Sequence, residues 1–254
     1  IKPISKIEFD NVVQRLKSNG FTLRDSKPSS LLRISSEYVD SKTGQTRVSN
    51  VRCEIKGLNN IQKYCKTNTL PTKPGGDVDA TFQQKQIMRT DDADLVNPVN
   101  FDEFNFRVTL NNETDLNPRS SPIVRSNIES WNDSKKVFRY ITRFSFKHQS
   151  LPIIADLSVV KESNKRGPRM VPEYTIQDSG VFDNREKYEI EMEIDTRRVG
   201  SAANKLADHL RKCALIVLRG LQESNFPISY PEQKNVLISY AKLFDSTITE
   251  ESRI

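Results

Sequence analysis

The sequence predicts an α+β fold: a mainly antiparallel β-sheet, closed into a barrel and flanked by helices. Three observations predict it. Helical periodicity is confined to the two ends of the chain. Between about residues 31 and 195, six segments alternate polar and apolar residues in the two-residue period of a strand. The strands are too numerous for the few helices to cover as an open sheet, which favours closure.

The first helix is marked by "SKIEFDNVVQRLKSNG". Ser5 and Glu8 stand at capping-box spacing, Phe9, Val12, Val13 and Leu16 make one apolar stripe, and Gly20 stops the helix. The strand segments are "LLRISSEYV", "RVSNVRCEI", "FNFRVTL", "KVFRYITRFSF", "IIADLSVV" and "KYEIEMEI". Their links are rich in Asn, Asp, Pro, Gly and Ser. The longest, about 66 to 100, reads as an insertion loop with a short strand in it. Helices return in "SAANKLADHLRKCALIVLRGLQESN", with Leu206, Leu210, Ala214, Val217 and Leu221 on one face, and in "YPEQKNVLISYAKLF", which starts near Pro231. "DSTITEESRI" reads as a linker or frayed end. The expected division is a domain at 1–225 followed by a helix and linker at 226–254.

Bulk properties narrow the function. The 254 residues carry a formal net charge of +6, and the pI is about 9.1; both suit an anionic partner such as nucleic acid or a nucleotide phosphate. Cys53, Cys65 and Cys213 are too scattered for a disulfide framework or a CxxC zinc site, which fits an intracellular home. No apolar run approaches the roughly 18 residues of a membrane span. No HExxH, P-loop, GxSxG or GxGxxG motif occurs.

The strands carry the chemistry. In "KYEIEMEID", Glu189, Glu191 and Glu193 share one face and Tyr188, Ile190, Met192 and Ile194 the other. Successive same-face carboxylates stand only about 6.5 to 7 Å apart and repel, and a divalent cation such as Mg²⁺ or Mn²⁺ relieves that repulsion. Other strands supply the opposite charge on one face: Arg139 and Arg143 in "FRYITRFSF", Arg52 with Glu54 and Lys56 in "NVRCEIKG", and Arg107 in "FNFRVTLNNE", where Glu113 follows. Asp156 and Ser158 share a face in "IIADLSVV". In a closed barrel these faces form a charged tunnel in which arginines grip a polyphosphate and glutamates hold a metal on it.

In these segments the chain resembles the triphosphate tunnel metalloenzymes, and within them the RNA 5′-triphosphatase domain of mRNA capping enzymes from large DNA viruses. "YEIEME" resembles the family's glutamate strand, and "VRCEIKGLNNIQKYCKTN", "FRVTLNNE", "FRYITRFSF" and "IADLSVVK" its other tunnel strands. The resemblance implies that Glu189, Glu191 and Glu193 hold Mg²⁺ or Mn²⁺ and that Arg52, Arg107, Arg139 and Arg143 contact phosphates. It implies that Glu113 orients the attacking water, and that Asp156 lies inside the tunnel with Ser158 beside it. Ile141 and Ile154 depart from the family, which tends toward basic residues there.

The same resemblance implies an upstream Glu-x-Glu strand outside this chain, a guanylyltransferase domain elsewhere in the parent chain, a stimulatory subunit, and residence in host cytoplasm or virion. The substrate it implies is triphosphate-ended RNA, and no membrane is involved. Two other functions fit the same residues: hydrolysis of nucleoside or inorganic triphosphate, and a non-catalytic barrel that binds RNA or a partner.

Overall fold

The computed structural model describes residues 2–40, 42–199 and 203–245. Helix α1 (Lys6–Ser18) leads into strands β1 (Phe21–Leu23), β2 (Ser29–Val39), β3 (Thr46–Val48) and β4 (Val51–Lys56), then α2 (Leu58–Thr67). Next come β5 (Thr81–Ile87), β6 (Val99–Phe101), β7 (Phe106–Val108), β8 (Asn111–Leu116) and α3 (Pro122–Glu129). The long strands β9 (Lys136–His148) and β10 (Ile153–Glu162) follow, then the small hairpin β11 (Lys165–Arg166) and β12 (Arg169–Met170), and β13 (Lys187–Ile194). The chain continues through α4 (Thr196–Val199), α5 (Leu206–Leu221) and α6 (Tyr230–Lys242).

The class is α+β, as the alternation predicts. The main sheet is antiparallel and runs β13-β10-β9-β2-β4-β5-β8, with β1 added to β9 and β3 to β2. Its curl makes a half-barrel. The two end strands, β13 and β8, do not pair with each other among the described residues. No helix among those residues is long and apolar enough to cross a membrane.

The convex face carries the core. Phe146, Leu157, Ala155 and Ile153 pack against Phe9, Val12 and Leu16 of α1 and Cys213 and Ile216 of α5. Leu32, Ile34, Cys53, Ile55, Phe82 and Phe138 pack against Ile61 and Tyr64 of α2, Val124 of α3 and Trp131. Alternation places every one of these strand residues on the side away from the charges. The capping box of α1 forms as expected: Ser5 Oγ accepts from the Glu8 amide, and the Glu8 carboxylate accepts from the Ser5 amide.

Several elements differ from expectation. "RVSNVRCEI" is two strands, because Ser49 and Asn50 bulge out between β3 and β4, which both pair with β2. "FNFRVTL" is also broken. Asn105 takes a left-handed conformation, and β7 pairs with β6 in a separate hairpin before β8 joins the main sheet. The long link holds a short strand, as expected, but that strand, β5, is an interior member of the main sheet and not part of an inserted loop. Helices α2 and α3 have no counterpart among the elements expected from sequence: Gly57 caps α2 without a side-chain hydrogen bond, and α3 is only eight residues long. Most of the expected terminal linker, residues 246–254, lies outside the described residues.

The fully buried positions of α5 are Cys213, Ile216 and Gly220, beside the expected stripe; Leu210, Val217 and Leu221 flank them half-buried. Gly220 explains the rotation. A Cβ there would stand 2.7 Å from the Cα of Val12, so the missing side chain lets α1 and α5 approach backbone to backbone. Gly220→Ala sets a helix-propensity gain of about 1 kcal/mol against an overpacking cost of about 1–3 kcal/mol. Because the obstacle is backbone, the cost wins, and the urea midpoint of the variant falls. An unchanged or raised midpoint contradicts the close approach.

Candidate functional site

The concave face is assembled by register. On β10, Ser158 stands opposite Glu189 of β13 and Arg143 of β9, and Asp156 opposite Glu191 and Ser145. Ile154 stands opposite Glu193 and Lys147. Toward the other end, Glu162 faces Arg139, Arg139 faces Arg33 of β2, and Arg33 faces Glu54 of β4. Arg52 faces Gln83 of β5, and Lys85 faces Glu113 of β8. The two-residue period of each strand thus places all these side chains on one face.

The charges meet in a connected network. Arg143 makes ion pairs with Asp156 at 2.9 Å and Glu191 at 3.2 Å, and its Nε donates to Ser158 Oγ at 3.1 Å. Ser145 Oγ donates to the other oxygen of Asp156 at 2.6 Å. Arg139 bridges Glu189 at 2.6 Å and Glu162 at 3.2 Å. Arg52 pairs with Glu113 at 3.1 Å and also donates to Gln83, and Lys85 reaches Glu113 at 3.1 Å. Arg33 and Glu54 form a largely buried pair at 2.7 Å.

A row of apolar side chains crosses this charged face. Val160, Ile141 and Leu31 are in register on β10, β9 and β2 and are buried as a separate cluster. Ile141 is 1% exposed. It lies between Arg139 and Arg143, which stand about 13 Å apart along β9.

Burial works to raise the proton affinity of Glu54, Glu113 and Glu162, and cations outweigh it in all three. Glu54 is held low by the hydrogen bond and charge of Arg33, Glu113 by Lys85 and Arg52, and Glu162 by Lys165, Lys187 and Arg139. Glu193 goes the other way. Its residue is exposed at the edge of the sheet, but the protein around its carboxyl displaces water and raises it first, then the negative charges of Asp156 and Glu191 do, with Arg143 opposing only in part. Glu113 adds to the same repulsion. Glu113 and Glu193 lie on the two end strands, so the curl brings opposite edges of the sheet within electrostatic reach across a trough.

Nine of the ten residues picked out by sequence converge on this face; Arg107 does not. It lies on β7, off the main sheet, and its Nε donates to Asn100 at 2.6 Å. The three glutamates of β13 share the face but diverge in their partners, Glu189 to Arg139 and Glu191 to Arg143, which leaves Glu193 without an ion pair among the described residues. No group of three carboxylate, His or Cys side chains draws together as a ready metal cage among those residues. The donor chemistry nonetheless fits a hard cation: Glu193 is an unpaired carboxylate crowded by two others, an arrangement that positive charge relieves.

Arg33, Glu162 and Lys85 belong to the network, and sequence alone does not single them out. Arg33 and Glu162 each stand two residues from a member of the apolar row. Leu31 beside Leu32, and Val160 beside Val159, erase the alternation that would have exposed them.

No protein-family model matches the chain, and no curated protein matches it. Among solved structures, one similar chain is the Pct1 RNA triphosphatase of S. pombe, at 12% identity, covering 99% of this chain and 72% of that one, with a TM-score of 0.38. Overlap of that grade leaves the site's own residues to indicate the function.

Because the folded state raises the proton affinity of Glu193, ionising it costs stability. The cost is absent at acid pH and grows as pH rises above the ordinary value of 4.5 through the raised one. Glu193→Gln is therefore expected to melt higher than the parent at pH 7.5 in EDTA, with the difference closing toward pH 4. Mn²⁺ is expected to raise the melting temperature of the parent more than that of the variant. A variant that melts lower at pH 7.5 without metal contradicts the repulsion.

Proposed function

We propose that this chain is a metal-dependent RNA 5′-triphosphatase, which removes the γ-phosphate of triphosphate-ended RNA in the first step of mRNA capping. The observation that carries the proposal is the pair Arg139 and Arg143. Both stand on one strand of a concave face, both are mostly shielded from solvent, and each is oriented by two carboxylates. Guanidinium groups held in this way are prepositioned for phosphate oxygens and need little reorganisation to bind them. The glutamates and arginines suit a small triphosphate equally; what favours RNA is the resemblance of the strand segments to those of the viral capping enzymes.

The roles follow from the surroundings of each side chain. Arg139, Arg143 and Arg52 would take the non-bridging oxygens of the β- and γ-phosphates, with Ser158 Oγ beside Arg143 as a further donor. Asp156 holds the guanidinium of Arg143 in place. Glu113, kept ionised by Lys85 and Arg52, would accept a hydrogen bond from the attacking water and aim it at phosphorus. That water attacks in line, the bond from the γ-phosphorus to the β–γ bridging oxygen breaks, and the products are diphosphate-ended RNA and inorganic phosphate. Glu189, Glu191 and Glu193 would hold Mg²⁺ or Mn²⁺, which when bound offsets negative charge on the γ-phosphate.

The test is phosphate release from γ-labelled triphosphate-ended RNA in Mg²⁺ or Mn²⁺. Glu191 is 45% exposed, so Glu191→Ala should fold; it is expected to lose activity by about 10²-fold or more, in the range seen when one electrostatic contact to a transition state is removed. Salt-sensitive RNA binding with no phosphate release by the parent protein would instead identify a non-catalytic RNA-binding barrel.

A further inference from the structure

A second cluster of cations lies at the end of the trough, outside the network just described. A pocket of about 540 Å³ opens there, lined by Thr22, Arg24, Lys147, Ile154, Arg197 and Arg198 among others. Its floor continues the charged face. Glu193, Ile154, Lys147 and Thr22 are in register across β13, β10, β9 and β1. The Arg24 amide donates to the Ser145 carbonyl at 2.8 Å, which extends β1 by one residue and puts Arg24 beside the row of Asp156 and Glu191.

These cations differ from those inside the trough. Arg139, Arg143, Arg52 and Lys85 are each answered by carboxylates. Arg24 and Lys147 are exposed and have no ion pair among the described residues. Arg197 makes only a long contact to Asp195, at 3.4 Å. Arg198 is a frame member: it donates to the carbonyls of His148 and Gln149 and so fixes the turn after β9. Unpaired cations in a concavity hold a standing attraction for anions.

Position along the strand says which anion. Lys147 stands about 13 Å beyond Arg143 on β9. If the terminal phosphate sits between Arg139 and Arg143, as the triphosphatase reading has it, the triphosphate itself ends short of Lys147, while the nucleotides that follow lead into the pocket. Building on that reading, we infer that the Arg24–Lys147–Arg197 pocket binds the phosphodiester backbone of the first nucleotides of the RNA, and that it is what separates triphosphate-ended RNA from free nucleotide as substrate.

The experiment compares the parent chain with Arg24→Ala/Lys147→Ala. Both sites are exposed, so folding is preserved; circular dichroism checks it. Two substrates are used, a triphosphate-ended RNA oligonucleotide and ATP, together with binding of a 5′-hydroxyl RNA oligonucleotide in EDTA over a range of salt. The expected result is a KM for RNA raised about tenfold or more, ATP hydrolysis within twofold of the parent, and a salt slope for RNA binding shallower by about 0.7 for each phosphate no longer neutralised. Equal losses on RNA and ATP, or no loss on RNA, overturn the inference and leave the triphosphatase reading standing. Absence of hydrolysis of either substrate by the parent overturns the triphosphatase reading. The binding arm then decides the pocket: RNA binding abolished in the double variant sustains it, and binding retained removes it.

Discussion

The arrangement turns on the cost of holding charge away from water. The Arg143 side chain is only 14% exposed and that of Asp156 only 7%. A charge shielded to that degree is tolerated when paired and hydrogen-bonded, and is strongly destabilising when left alone. The strand order supplies the pairing. With β10 between β9 and β13, one guanidinium on β9 spans Asp156 and Ser158 on the neighbouring strand and Glu191 on the next. Arg139 repeats the device four residues away with Glu162 and Glu189. Another order of the same strands would strand carboxylates that this one satisfies.

The apolar row gives the two arginines separate places. A cation at position 141, where the resemblance leads one to expect it, would lie buried between Arg139 and Arg143 and add like charge to both. Ile141, with Val160 and Leu31, fills the space with groups that need no partner. Each arginine then keeps its own carboxylates. The apolar side chain at position 141 is therefore coherent across three strands, since its neighbours in register are apolar as well.

The same row decides what was legible in the sequence. Strands whose alternation is clean, "KYEIEMEI" and "VRCEIK", could be read directly, and so could their charged faces. Where Leu31, Ile141 or Val160 puts an apolar residue on the polar face, the period of two breaks, and Arg33 and Glu162 disappear into it. Arg107 misled for the opposite reason. It is locally strand-like, but the left-handed turn at Asn105 puts β7 in a hairpin of its own, and nothing in the spacing of "FNFRVTL" announces that. The central place of β5 was hidden because "TFQQKQI" buries only Phe82 deeply, so its hydrophobic signal is that of a short strand in an exposed link. Its place in the sheet comes from tertiary pairing with β4 and β8, which propensity does not record.

The balance of charge along the trough bears on how a phosphate could enter. Glu191, Asp156 and Glu193 concentrate negative charge at the end where the proposed RNA path begins; Arg143 pairs with two of them, and Lys147 and Arg24 stand beside them without an ion pair among the described residues. A polyphosphate arriving alone would meet those carboxylates as repulsion, although Asp156 and Glu191 hold Arg143 ready for its oxygens. Positive charge at Glu193 and Glu191 removes the repulsion and leaves Arg143, still held by Asp156, to the phosphate. Under the proposed function, then, metal and phosphate are each a condition for the other, because one arginine serves both sets of anions.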